Sequence, residues 1–153
     1  MDKNLLVLKL VLEGLGLDLN IDTVEDRMAK QKAVYLAQAF GFDFGYSYGW
    51  YKKGPYSPKL TRDYYDLDST PLSDDGTVLI PSISDKLNFV KSKYIESKNK
   101  PSALSLAAWM ELLASWHFLK NVSKYDDAKA KEFLAEKKPH LADHIHCAES
   151  VFS

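Results

Sequence analysis

Leu5, Leu6, Leu8, Val11, Leu12 and Leu15 recur at spacings of three and four, the signature of one helix face, and Gly14 and Gly16 close that helix. Asp22 or Thr23 then caps a second helix, with Asp26 placed to complete the cap. Its apolar positions are Met28, Ala29, Val34, Tyr35, Leu36, Ala39 and Phe40, and Gly41 stops it. The period next changes to two. Phe42, Phe44, Tyr46, Tyr48 and Trp50 occupy every even position, with glycine, serine or aspartate between them, which predicts one extended strand with an aromatic face. Gly54-Pro55 breaks that strand, and Ser57-Pro58 reads as an N-cap followed by proline at the first helical position.

The third helix runs from Lys59 to about Leu67, with Leu60, Tyr64 and Leu67 on its inner face. Ser69 to Gly76 is an acidic, polar loop. Val78 to Ile80 reads as a short second strand, confined to an edge by Pro81. Ser84 is the expected cap of a fourth helix, and Lys98 to Pro101 is a linker. The segment from Ala103 to Leu119 is apolar apart from Ser105, Glu111, Ser115 and His117, and a helix apolar nearly all round belongs at the centre of a bundle. Two short helices divided by Pro139 follow. The fold class is therefore mainly α: a bundle of about six to seven helices with one or two short strands. It is expected as one domain over 1–153, with a winged-helix-like half over about 1–80 and a helical half over about 84–153.

Charge and composition narrow the function classes. The formal net charge is −1, so the chain as a whole has no pull toward nucleic acid or anionic lipid. A single cysteine, Cys147, forbids an internal disulfide and fits a reducing compartment. Lys9 interrupts the apolar run from Leu5 to Leu12 and no small-residue cleavage site follows, which argues against a signal peptide. No apolar run approaches the roughly 20 residues that span a bilayer. The expectation is a cytoplasmic protein that does not enter the membrane and needs no cofactor.

Lys32-Ala33-Val34-Tyr35-Leu36-Ala37-Gln38, the aromatic segment, and Gly54-Pro55-Tyr56-Ser57 leading to Leu60 and Asp63 form a pattern that resembles the small bacterial and phage proteins of the YwgA type. Trp109 to Ser115 resembles the later core helix of that group. More distantly, the pattern is similar to the Panacea domain of toxin–antitoxin systems. That second resemblance implies an antitoxin-like or defence-related protein that contacts a protein partner directly.

The residues themselves offer three candidate sites. The Gly54-Pro55 corner combines Tyr48, Trp50, Tyr51 and Tyr56 with Lys52, Lys53, Lys59 and Arg62, types that anchor protein partners. The same mixture suits a nucleic-acid surface with the third helix as recognition helix, although Asp63, Asp66 and Asp68 along it would repel phosphate. Glu111 within the apolar helix needs a partner; Lys32 or a tyrosine from the second helix could supply it, making either a buried polar link or a general base for a small enzyme. His140 and His144 are four apart, so one helix would place them together as weak candidate metal ligands.

Overall fold

A computed structural model describes residues 3–72 and 75–153; Met1, Asp2 and the part of the acidic loop at 73–74 lie outside this description. Eight α-helices and one two-stranded sheet are present among the described residues. Helix α1 (Lys3–Gly14) is followed by α2 (Val24–Phe40), strands β1 (Gly49–Tyr51) and β2 (Gly54–Tyr56), and α3 (Pro58–Ser69). Helix α4 (Pro81–Val90) runs into a π-helical turn at Lys91–Ile95. The chain ends with α5 (Leu106–Asn121), α6 (Asp127–Lys137), α7 (Pro139–Ala142) and α8 (Ile145–Phe152).

Helices α2 and α5 pack along each other at the centre. Helix α5 buries eleven of its residues, including Trp109, Met110, Leu112 and Leu113, so its nearly all-round apolarity corresponds to a central position. The π turn brings the Tyr94 carbonyl to the indole N–H of Trp109, which donates to it at 2.8 Å, so the largest buried ring is fixed in orientation. A smaller second core joins α1, α2 and α3 through Leu5, Leu8, Leu12, Val34, Leu60 and Tyr64. No described helix is long and apolar enough to cross a membrane.

Local signals act where the sequence places them at two helix starts. Thr23 accepts from the Asp26 amide at 3.0 Å and Asp26 accepts from the Thr23 amide, a closed capping box. Ser57 caps α3, with Pro58 as its first residue.

Four expectations need correction. The aromatic segment is not one extended strand: only Gly49–Tyr51 pairs, and its partner is Gly54–Tyr56 rather than Val78 to Ile80. The reason lies in Gln38. Its side-chain oxygen accepts from the amides of Phe44 and Tyr46, and its amide donates to the Tyr46 carbonyl at 2.7 Å. The backbone groups that would have sought a strand partner are thereby satisfied, and Gly45 turns the chain with a φ of +85°. Val78 to Ile80 instead leads into α4, which begins at Pro81 rather than after Ser84, as proline at the first helical position favours. The central helix starts after its cap Ser105, whose side chain accepts from the Ala108 amide at 3.1 Å, later than the apolar run suggests. Finally, three helices rather than two follow the centre, because Asp143 ends α7 and a new helix begins after His144.

Candidate functional site

The Gly54-Pro55 corner is built by backbone and held by buried side chains. Lys52 and Lys53 form the turn between β1 and β2, and Gly54 follows with a φ of +90°, a conformation that L side chains rarely adopt. Pro55 lies opposite Trp50 on an outer strand, where a residue without an N–H is tolerated. Helix α2 reaches this backbone with two consecutive side chains. Gln31 donates to the Ser57 carbonyl at 2.9 Å and accepts from the Ser57 amide at 3.0 Å. Lys32 donates to the Pro55 carbonyl at 2.6 Å. From the other side, Lys138 at the α6–α7 junction donates to the Lys52 carbonyl at 2.8 Å.

Beneath the hairpin, the Lys138 ammonium meets the Glu111 carboxylate at 2.7 Å, with both side chains at least 96 % buried. The ammonium also lies 5.6 Å from the centre of the Trp50 ring, a cation–π contact. Lys32 is itself 1 % exposed. Burial lowers its pKa to about 7; Glu111 opposes that shift, and Lys138 and Lys53 add to it. Glu111 is therefore a buried polar link between α5 and the hairpin, but its direct partner is Lys138. Lys32 acts on the neighbouring carbonyl and senses Glu111 electrostatically. Nothing in the sequence separates Lys138 from the exposed Lys137 before it, so this partner is legible only once α6 and α5 are packed.

The remaining candidates divide between core and surface. Tyr48 packs edge-on against Tyr35 with ring centres 5.1 Å apart, and burial raises its phenol pKa well above the ordinary value. Trp50 packs against Phe118 and Phe133. Both are half-buried side chains packed against the main core, so neither is a free anchor. Tyr51, Lys52, Lys53, Lys59 and Arg62 are exposed and Tyr56 is half-buried. Tyr51 and Tyr56 meet edge to face at 4.9 Å on the outside of the hairpin. Lys59 is partly neutralised by Asp63 at 3.0 Å, which also accepts from the Tyr46 hydroxyl at 2.8 Å.

His140 and His144 do not share a helix face. His144 lies beyond the end of α7, and His140 instead approaches Glu111 at 3.8 Å. No group of three or more histidine, cysteine, aspartate or glutamate residues among the described residues is arranged to hold a metal ion.

Between α2, the hairpin and α3 lies a cleft of about 240 Å³, which sequence reasoning missed. Val24, Met28, Tyr56, Tyr64 and Tyr65 form its apolar walls, and Arg27, Lys32 and Lys53 supply its charges. Thr61 organises the walls: it accepts from Gln31 at 2.8 Å and donates to the Tyr56 hydroxyl at 2.7 Å. Compared with protein-family models, curated proteins and solved structures, the chain matches none.

Gly54 provides a stability test of this corner. A Cβ built there would lie 2.4 Å from the Ser115 hydroxyl oxygen, which is buried and has no hydrogen-bond partner among the described residues. Gly54→Ala is expected to cost about 2–4 kcal/mol, from the disfavoured φ and the overlap together. Ser115→Ala alone is expected to be neutral or stabilising, since it removes an unsatisfied buried hydroxyl. Combined with Gly54→Ala it should recover the steric part and leave the backbone part. Urea unfolding of the two single variants and the double variant separates these contributions; equal costs for Gly54→Ala with and without Ser115 would rule out the overlap.

Proposed function

We propose that this chain is a protein-interaction module of the YwgA or Panacea kind, antitoxin-like or defence-related, that presents the hairpin corner to a protein partner. One observation carries the reading. Four hydrogen bonds, three donated by Gln31, Lys32 and Lys138 and one accepted by Gln31, fix the backbone of residues 52–57, while Tyr51, Lys52 and Lys53 remain exposed at its tip. A turn fixed before encounter loses less conformational entropy on association. Exposed tyrosine beside cationic side chains suits a binding hot spot.

A nucleic-acid regulator would need a cationic α3. That helix carries Lys59 and Arg62 against Asp63, Asp66 and Asp68, so its side chains sum to a negative charge. An enzyme using Glu111 would need the carboxylate free, whereas it is paired with Lys138 under the hairpin.

The test is affinity capture from the native host, with nuclease treatment and raised salt, using the wild type and a Tyr51→Ala, Lys53→Ala double variant. Both substitutions lie on the surface, and their stability cost should be confined to the lost Tyr51–Tyr56 ring contact, about 1 kcal/mol. A stoichiometric protein partner should survive nuclease and salt, and the double variant should weaken its binding by at least about tenfold, roughly 1.4 kcal/mol. Loss of all partners on nuclease treatment would instead favour the nucleic-acid regulator.

A further inference from the structure

The cleft beside the hairpin has a charge imbalance that bears on what enters it. Its lining holds Arg27, Lys32 and Lys53, and the one carboxylate that acts on Lys32, Glu111, lies outside the lining and is already paired with Lys138. At the rim, the Arg27 guanidinium donates to the carbonyls of Ile21 and Asp22 at 2.8 and 3.3 Å. Among the described residues neither Arg27 nor Lys53 has a carboxylate in ion-pair contact, and no residue lining the cleft is acidic. The apolar rim is open as well: Val24 is 51 % and Tyr65 47 % exposed.

We infer that this cleft seats an acidic segment of the protein partner, with a carboxylate meeting Lys53 and Arg27 and an aromatic side chain entering between Tyr56 and Tyr65. The inference rests on the protein-interaction reading and names the chemistry of its partner. Three observations favour this occupant. The volume of about 240 Å³ is below the roughly 300–1,000 Å³ usual for small-molecule sites, and suits one anchoring side chain. The uncompensated cations are complementary to carboxylates. Asp66 and Asp68, exposed on α3, oppose an extended polyanion such as nucleic acid far more than a short peptide with local acidic groups.

Backbone amide chemical shifts of ¹⁵N-labelled protein test the inference directly. The probes are acetyl-Glu-Glu-Tyr-Glu-Glu-amide, the same peptide with lysine in place of glutamate, and octathymidylate. The acidic peptide should shift the amides of Lys53, Tyr56 and Tyr65 selectively. Lys53→Glu and Tyr65→Ala, both surface substitutions, should each weaken it by about tenfold or more. Silence with the acidic peptide, shifts centred elsewhere, or equal response to the basic peptide overturns the inference. Stronger binding of octathymidylate in the cleft overturns it in favour of nucleic acid. The two readings fail separately: a captured protein that depends on Tyr51 while the cleft ignores the acidic peptide removes this inference and leaves the interaction module standing.

Discussion

Glu111→Gln is expected to destabilise the fold by about 3–5 kcal/mol, the cost of breaking a buried ion pair from one side. The change is nearly isosteric, so packing around α5 is kept and charge alone is altered. It leaves the Lys138 ammonium, 3 % exposed, without its 2.7 Å partner, and deprives Lys32 of the carboxylate that favours its charged form. Lys138→Met is expected to cost less, about 2–3 kcal/mol, from a lost charged hydrogen bond and a buried carboxylate left without its direct partner. Glu111 then keeps Lys32 as an electrostatic neighbour and His140 at 3.8 Å, and the methionine retains apolar contact under Trp50. Replacing both, as Glu111→Leu with Lys138→Met, should recover most of the loss, because two desolvation penalties vanish with the attraction they opposed. Denaturant unfolding of Glu111→Leu, Lys138→Met and the pair carrying both gives the coupling energy by a double-mutant cycle. Additive costs would mean that the two charges do not act as a pair.

The buried pair also marks the limit of what the sequence discloses. The Thr23–Asp26 box and the Ser57-Pro58 start are local chemistry, complete within four residues, and both are readable before any packing is known. Helix α5 is readable for a similar reason: its apolarity admits only a central place. Glu111 stands out by contrast with that apolarity, so the need for a partner is legible. The partner is not. Lys138 is one of a run of exposed-looking lysines, and its burial follows from the path of the chain at Pro139, which brings the ammonium under the hairpin. Alternation misleads from Phe44 to Trp50 because core packing also selects every second residue, while backbone groups that a strand partner would bond are taken by the Gln38 side chain. The histidines mislead because their spacing of four assumes a helix that ends between them. The aromatic cleft has no sequence signature: Val24 and Met28 read as ordinary helix positions, and Tyr56 and Tyr65 come to line one cleft only after α2, the hairpin and α3 are packed.

Stability is expected to climb with pH over two windows and to peak on the alkaline side of neutrality. Burial lowers the His117 pKa from 6.5 to about 4 and the Lys32 pKa from 10.5 to about 7. In each case the unfolded chain holds a proton that the native protein has released, between the two values of that group. Unfolding therefore becomes harder as pH rises, by up to about 1.4 kcal/mol per pH unit for each group. The His117 contribution should fall short of that bound, because the ring is only partly buried and solvent screens it. It appears between pH 4 and 6.5, and that of Lys32 from pH 7 upward. Above about pH 10 the sign reverses: the phenols of Tyr35, Tyr48, Tyr64 and Tyr94 are raised by burial, so the native state keeps protons that the unfolded chain loses. Urea midpoints measured across this range should rise in both windows. Lys32→Met should flatten the upper one and His117→Asn the lower. A profile that is level from pH 7 to 9 would mean that Lys32 stays charged under the hairpin. The buried charges predict a further dependence: Glu111→Gln removes the influence that favours Lys32 protonation and should move the onset of the upper window to lower pH, whereas Lys138→Met removes a repelling ammonium and should move it higher. Opposite displacements by the two substitutions are what a shared buried network requires, and a general loosening of the fold would move both onsets the same way.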